Sequence, residues 1–380
     1  TLRVAGLGTA PSHGLKRGVV VNIDATVQSI QQALKEAELM ADCKITRVYT
    51  GITGSHIRGQ NSTGMVIVRD NREVTPVDVA RVVDTAKAVN IPNDQRLLLV
   101  EPQEFVIDGH EVKEPIGMSG GRLEVKVHIV TGAGSAAENI VKCVRRCGLE
   151  VEQLVLNPSA SSAAVLTPDE KELGVALVDI GAGTTDVQVF TGGSVRHTAV
   201  IPIAGDLITS DIAMALRTPT KDAEEIKVGH GVAKQLLADP ADNLEVPGLG
   251  DRSPRLLSRQ ALAGVIEPRV EEIYSLVHQV IRESGYEELL SSGIVITGGS
   301  AVMPGMVELG EDIFLKPVRR GNPTYAGALS DMVANPRSAT VMGLLEEARA
   351  ARARGHKAAT QAGSVSTLLT RAKDWFLGNF

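Results

Sequence analysis

Aromatic residues are scarce. They make up 3% of the 380 residues, with a single Trp, four Tyr and five Phe. A core with so few large rings must be built from Val, Leu, Ile and Ala, which suits an α/β protein around a buried sheet. Cysteine is limited to Cys43, Cys143 and Cys147. An odd count with no secretory signal predicts reduced thiols in a cytosol and excludes a disulfide framework. Cys143 and Cys147 can share a helix face, but no second ligand pair accompanies them, so buried packing is expected and not zinc. No run of ~18 apolar residues is present, so no helix is expected to span a membrane. A net basic charge is also lacking. The formal charge is −6, which does not fit a nucleic-acid binder.

The charge is unevenly spread. Residues 349–380 hold Arg349, Arg352, Arg354, Lys357, Arg371 and Lys373 against Asp374, a net of +5 that leaves −11 for the rest. A basic tail on an acidic body suggests an anionic surface as partner. The length suffices for two to three domains.

One stretch organises the chain, Val175 to Val189, reading VALVDIGAGTTDVQV. Its apolar start predicts a strand buried on both faces, and Val187 and Val189 alternating with Gln188 predict the returning strand. Between them, Gly181, Ala182 and Gly183 allow a tight turn whose N–H groups can approach an anion. Thr184 and Thr185 add hydroxyls. Asp179 at the strand tip can hold Mg²⁺ directly or through water. Taken alone, the stretch also fits an ordinary glycine-tipped hairpin.

Before it, strands are expected at Leu2 to Gly8, Val19 to Ile23 and Ile45 to Gly51, with a helix from an Asp24 cap to about Ala41. Residues 56–130 change texture. Thr75-Pro76 starts a helix with Val79, Val82, Val83, Ala86 and Val89 inward. Arg96 to Glu101 and the alternating Leu123 to Val130 read as strands. A helix at 139–147 ends at Gly148 and a strand at 151–156 follows. A small-residue helix then starts at Asn157-Pro158-Ser159-Ala160-Ser161-Ser162, either for close approach of another backbone or merely with a thin face. Beyond the hairpin, helices open at Gly205-Asp206 and at Ala223-Glu224. Residues 239–254 read as a loop, and a long helix from Arg259 to Ser284 is expected to break near Pro268. A second glycine turn, Thr297-Gly298-Gly299-Ser300-Ala301-Val302-Met303-Pro304-Gly305, leads from a buried strand, and a second small-residue helix starts at 338–343.

The order of these four features resembles the superfamily of actins, sugar kinases and heat-shock chaperone ATPases, in which ATP lies between two related α/β domains. The hairpin matches its second phosphate loop, Gly298-Gly299 its adenosine motif, and the two small-residue helices its interdomain hinge. Within it the chain resembles the FtsA family of bacterial cell-division actin homologues, through residues 37–57, RHTAVIPIAGDLITSDIA (196–213), EEIKVGHGVA (224–233), VIEPRVEEI (265–273) and the tail.

The resemblance implies an actin-like ATPase fold with a small inserted α+β subdomain. One core subdomain would take 1–55 and 131–175, the insert 56–130, the second core subdomain 176–220 and 293–345, and its outer subdomain 221–292. A linker at 346–364 and an amphipathic helix at 365–380 would follow. It implies ATP and Mg²⁺ as ligands. Phosphate and Mg²⁺ would be held by Asp179, Gly181, Ala182, Gly183, Thr184 and Thr185. Adenosine contacts would come from Gly205, Asp206, Thr209, Glu224, Lys227, Gly298, Gly299, Ser300, Val302 and Met303. It also implies polymerisation with copies of itself, recruitment of the tubulin-like ring protein FtsZ and other divisome proteins to the inner membrane at the septum, and no nucleic-acid partner. The first phosphate loop of the superfamily is not matched, since Gly6-Leu7-Gly8-Thr9 has Gly where its carboxylate belongs. The later landmarks place that loop before Thr1. Asn157 stands where chaperone relatives carry a water-orienting Glu. An amide cannot take a proton, so slow hydrolysis is expected.

The tail carries its own signal. Val365, Leu368, Leu369, Ala372, Trp375, Phe376 and Phe380 recur at helical spacing, with Arg371 and Lys373 beside them, as in a helix lying in a membrane interface. Docking of that helix on the body is the other reading. A sugar kinase or chaperone ATPase of the same fold would have no use for it, and a pilus-assembly platform shares the insert but lacks the tail.

Overall fold

A computed structural model describes residues 2–69, 73–250 and 253–353. The expected linker beyond 353 and the amphipathic segment 365–380 lie outside the described residues.

The strand Val175–Ile180 is buried at every position and lies at the centre of a five-stranded sheet. On one side it pairs antiparallel with Thr185–Thr191, which pairs antiparallel with Ser194–Ile201. On the other it runs parallel to Ile294–Thr297, which runs parallel to Val318–Arg320. Side chains alternate across the pleat. Ala176, Val178 and Ile180 enter one apolar cluster, and Val175 and Leu177 enter another. Both faces are covered, which is why the strand reads as an unbroken apolar run.

The first cluster is closed by the helix Arg259–Ser284, whose Leu262, Ile266, Val270, Ile273, Val277 and Ile281 form one buried stripe. The expected break near Pro268 is absent, and the helix runs straight through. Pro268 is exposed. The buried stripe outweighs the one backbone hydrogen bond that Pro268 removes and holds the helix together. Residues 239–254 are not all loop, since Asn243–Val246 pairs with Arg255–Ser258 and sends Leu244 and Val246 inward.

A second sheet has the order Arg58–Ile67, Arg122–Ala133, Gln95–Ile107, His110–Val112, all antiparallel. The helix Pro76–Lys87 covers it, with Val79, Val82, Val83 and Ala86 packed on Leu123, Val125, Val127 and Ile129. Thr75 and Asp78 form a reciprocal capping box at its start. The strand expected at 96–101 extends to Ile107, because two bulges, between Leu97 and Leu99 and between Pro102 and Glu104, absorb its irregular register.

The remaining unit is a parallel pair, Arg47–Ile52 with Glu150–Leu156, flanked by the helices Ile23–Ala41 and Gly134–Arg146. Several N-terminal expectations are corrected. Leu2 to Gly8 is not a strand. It lies along the first helix, where a Cβ on Gly8 would sit 1.8 Å from the Ala33 carbonyl oxygen. Its N–H groups find side chains instead of a neighbouring strand: Val4 donates to the Tyr325 hydroxyl at 2.9 Å and Leu7 to the Met40 sulfur at 3.4 Å. The next strand is only Val19–Val20, paired with Leu15–Lys16. The helix cap is Asn22, whose Oδ1 accepts from the Ala25 N–H at 3.1 Å, and not Asp24. The third helix begins at Gly134, five residues ahead of its expected start. The helix expected at Ala223 begins at Thr220.

The two small-residue helices are Asn157–Val165 and Ala339–Ala353. The second continues through 346–353, the first part of the stretch expected to act as a linker. They touch backbone to backbone, since a Cβ on Gly343 would lie 1.7 Å from the Ala160 carbonyl oxygen. Close approach, not a thin face, explains their composition.

Candidate nucleotide site

The glycine hairpin turns at the C-terminal tip of the central strand, with the Gly181 N–H donating to the Thr184 carbonyl at 2.9 Å. Neither Gly181 nor Gly183 has a left-handed backbone. The requirement at Gly183 is space, because a Cβ there would lie 2.9 Å from the Cα of Arg17. The helix Gly205–Leu216 docks onto the turn through the Gly205 N–H to the Gly181 carbonyl (3.1 Å) and the Asp206 N–H to the Ala182 carbonyl (2.7 Å). The second glycine turn follows Ile294–Thr297. Gly298 has φ +88°, and a Cβ on it would lie 2.4 Å from an Asp179 oxygen. Glycine is required there on both counts. The Ser300 hydroxyl donates to the Gly181 carbonyl at 3.1 Å and locks the two turns together.

Between the turns lies a cavity of about 380 Å³. Gly181 and Ala182 form one end, and Gly299, Ser300, Val302, Met303 and Pro304 form a side. Glu224, Lys227 and Val228 come from the helix Thr220–His230. Lys227 bonds Glu224 at 2.7 Å, the Thr209 hydroxyl at 2.8 Å and the Gly205 carbonyl at 3.1 Å. The Thr209 hydroxyl donates to the Glu224 carboxylate. Burial opposes ionisation of Glu224, but the bonds from Lys227 and Thr209 outweigh it and hold the carboxyl below its ordinary range. An apolar slot of Val228, Val302 and Met303 beside fixed polar groups suits a flat heterocycle with a hydroxylated sugar.

Of the residues singled out in sequence, Gly181, Ala182, Glu224, Lys227, Gly299, Ser300, Val302 and Met303 line this cavity. Gly205, Thr209 and Gly298 are buried outside its lining, and Asp206 is exposed and holds the turn through its N–H to the Ala182 carbonyl. Thr185 departs from its expected role, since its hydroxyl donates to the Ile203 carbonyl at 2.7 Å. Arg259 and Arg337 also line the cavity and had no local signal. Arg337 arrives only because the segment before the last helix folds against Gly299.

Asp179 is buried beside the cavity, not in its lining. Its carboxylate accepts from Ser161 at 2.5 Å and from Thr340 at 3.3 Å, one hydroxyl from each crossing helix. Asp186 lies directly across the hairpin from it. Burial raises the pKa of both, and for Asp186 burial and then the neighbouring Asp179 push it up to about 8. The Thr53 hydroxyl at 2.7 Å and that of Thr184 only partly oppose this. Two buried carboxylates, one needing a proton in the absence of a counter-charge, fit a divalent cation well. Among the described residues no group of three or more His, Cys, Asp or Glu could hold a metal unaided. A cation here would draw further ligands from phosphate and water. Asn157 lies outside the cavity, with its Oδ1 buried, unpartnered and against Gly51.

Two α/β units joined by a crossing helix pair, with facing glycine turns around a cleft, define an actin-like ATPase fold of the nucleotide-binding class. The PilM–PilN type IV pilus biogenesis complex has this fold, with a TM-score of 0.63 at 18% identity over 91% of this chain and 99% of that one. Residues 176–343 match the family described as cell division protein FtsA, and residues 54–131 match the SHS2 domain inserted in FtsA. Cell division protein FtsA of Pseudomonas aeruginosa is 55% identical over 386 residues, spanning 100% of this chain and 92% of that protein. That of Neisseria meningitidis is 49% identical over 387 residues, spanning 100% and 93%. The chain belongs to the FtsA family of cell division proteins.

Proposed function

We propose that this protein binds ATP with Mg²⁺ in the cleft, assembles into actin-like filaments, and tethers the FtsZ ring to the cytoplasmic face of the inner membrane at the septum. The observation that carries the nucleotide reading is the cavity between the hairpin and the Gly298-Gly299 turn, walled by Glu224, Lys227 and Met303. Lys227 and Glu224 would orient the ribose, Val302 and Met303 would cover the base, and the hairpin amides would receive the phosphates. Bound Mg²⁺ would neutralise phosphate charge beside Asp179 and Asp186. With Asn157 in place of a carboxylate, the position expected to orient the attacking water holds no proton acceptor, which supports slow turnover.

The domain division carries into this reading. Residues 56–130 and 221–292 would be appendages on two core subdomains, with FtsZ docking on the outer one that carries Arg259–Ser284. Tethering rests on Val365, Leu368, Leu369, Arg371, Ala372, Lys373, Trp375, Phe376 and Phe380. Several buried apolar side chains at ~1.5–3 kcal/mol each, less the ordering cost, give reversible binding. Filament avidity would strengthen it.

Electron microscopy on anionic lipid monolayers with ATP tests this reading. Membrane-bound filaments are expected, and none under any nucleotide condition would overturn it. Replacing Trp375 and Phe376 together by Glu should abolish co-sedimentation with liposomes.

A further inference from the structure

The hairpin Leu15–Lys16 and Val19–Val20 has a two-residue turn, Arg17-Gly18, with φ of +49° and +78°. Positive φ at both positions is the type I′ pattern, which favours Asn, Asp or Gly at the first of them. Arginine there costs roughly 1 kcal/mol of backbone strain. The turn is set firmly from both sides. A Cβ on Gly183 would lie 2.9 Å from Arg17 Cα and 3.1 Å from its N, and one on Gly18 would lie 2.9 Å from Thr53 Cγ2. The tip of a hairpin from the first unit thus rests on the glycine turn of the second. It rests one residue beyond Gly181 and Ala182, which close the cavity. Lys16 and Arg17 are exposed, and neither takes part in an ion pair among the described residues. A strained turn therefore presents two uncommitted cations where the far end of a polyphosphate would emerge from the cavity.

We propose that Arg17, with Lys16 beside it, engages the terminal phosphate of a bound nucleoside triphosphate and closes the first unit onto the second. The proposal rests on the nucleotide reading above and adds a third contact, from the opposite side of the cleft, to the two glycine turns. Guanidinium and phosphate make strong charge-assisted hydrogen bonds, so the contact would separate triphosphate from diphosphate. Strain held in the free state would be offset only when the terminal phosphate arrives.

The test is the binding of fluorescent N-methylanthraniloyl ATP and ADP to the full 380-residue chain, followed by anisotropy. Arg17→Asn keeps a residue suited to the turn and removes the charge, so its fold is preserved. It should weaken ATP binding by roughly tenfold and ADP by less than about twofold. Arg17→Lys should recover part of the loss. An unchanged ATP-to-ADP preference in Arg17→Asn would overturn the proposal while leaving the nucleotide site intact. Failure of the unsubstituted chain to bind either nucleotide would overturn the site itself, and this contact with it.

Discussion

The Thr53 hydroxyl donates to the Asp186 carboxylate at 2.7 Å, across a sequence separation of 133 residues. Thr53 follows the strand Arg47–Ile52 of the first unit, and Asp186 lies on the returning strand of the glycine hairpin. Both side chains are buried. The bond is a fixed joint between the two halves of the molecule, made directly behind the phosphate turn. Thr53→Val keeps the shape and leaves a buried carboxyl short of a partner. The expected loss is about 1–3 kcal/mol in unfolding free energy, measured by urea denaturation.

His128, 1% exposed, joins the inserted sheet to the central one. Its Nδ1 lies 2.6 Å from Asn61 Oδ1 and its Nε2 lies 2.9 Å from the Thr198 hydroxyl. Gln103 and Gln188 extend the network, Gln103 to Asn61 at 3.2 Å and Gln188 to Thr198 at 3.4 Å. Burial, helped by the neighbouring His197, lowers the imidazole pKa to about 4. The unfolded chain takes up the proton first, near pH 6.5. The network's contribution is therefore complete above that pH and falls, by up to ~3 kcal/mol, as pH drops toward 4. Asp186 acts oppositely. Its raised pKa makes the fold lose stability as pH rises from about 4 to about 8, with no further loss above that. The two are separated by difference. The stability gap between the unsubstituted chain and His128→Gln should shrink from pH 7 to pH 4.5, and a constant gap would count against a neutral buried imidazole.

Gly343 tests the helix crossing. An added methyl would meet the Ala160 carbonyl oxygen at 1.7 Å, and backbone cannot yield there as a flexible side chain would. Gly343→Ala should lower stability by roughly 2–4 kcal/mol despite the better helix propensity of Ala, read as a drop in melting temperature. A stabilised variant would mean that the helices cross more loosely.

Lys227 is the hub of the cavity wall. Lys227→Met keeps the aliphatic stem and removes three hydrogen bonds. ATP and ADP should weaken together by roughly tenfold or more, since both carry the same nucleoside. The Glu224 carboxyl, no longer held by the ammonium, should titrate higher. Isothermal titration calorimetry reads the first effect and carbon-detected NMR the second.

Much of the fold was legible because it is locally encoded. The run from Val175 to Val178 could only be a doubly buried strand, and Leu123, Val125, Val127 and Ile129 could only face one core. The Thr75 cap and Gly148 marked helix ends through turn chemistry that operates within four residues. Pro268 misled for a tertiary reason: an exposed proline costs a helix one bond, and a buried stripe of six apolar residues outweighs it. Leu2 to Gly8 misled for another. Alternation permits a strand, but a strand exists only where a neighbouring edge accepts it, and here the segment lies along a helix.

The glycine hairpin with Asp179 and Asp186 was determined by sequence alone, because strand period and turn composition need no distant partner. Its surroundings were decided by tertiary structure. Ser161 and Thr340 meet on Asp179 from helices 179 residues apart in the chain, and Arg337 enters the cavity from beyond the second glycine turn. The backbone turn at Arg17 comes to rest on Gly183 with no periodicity to announce it. Local sequence carries the energies of turns and faces, whereas a site assembled from separated segments depends on contacts whose loop-closure cost only the complete core can offset.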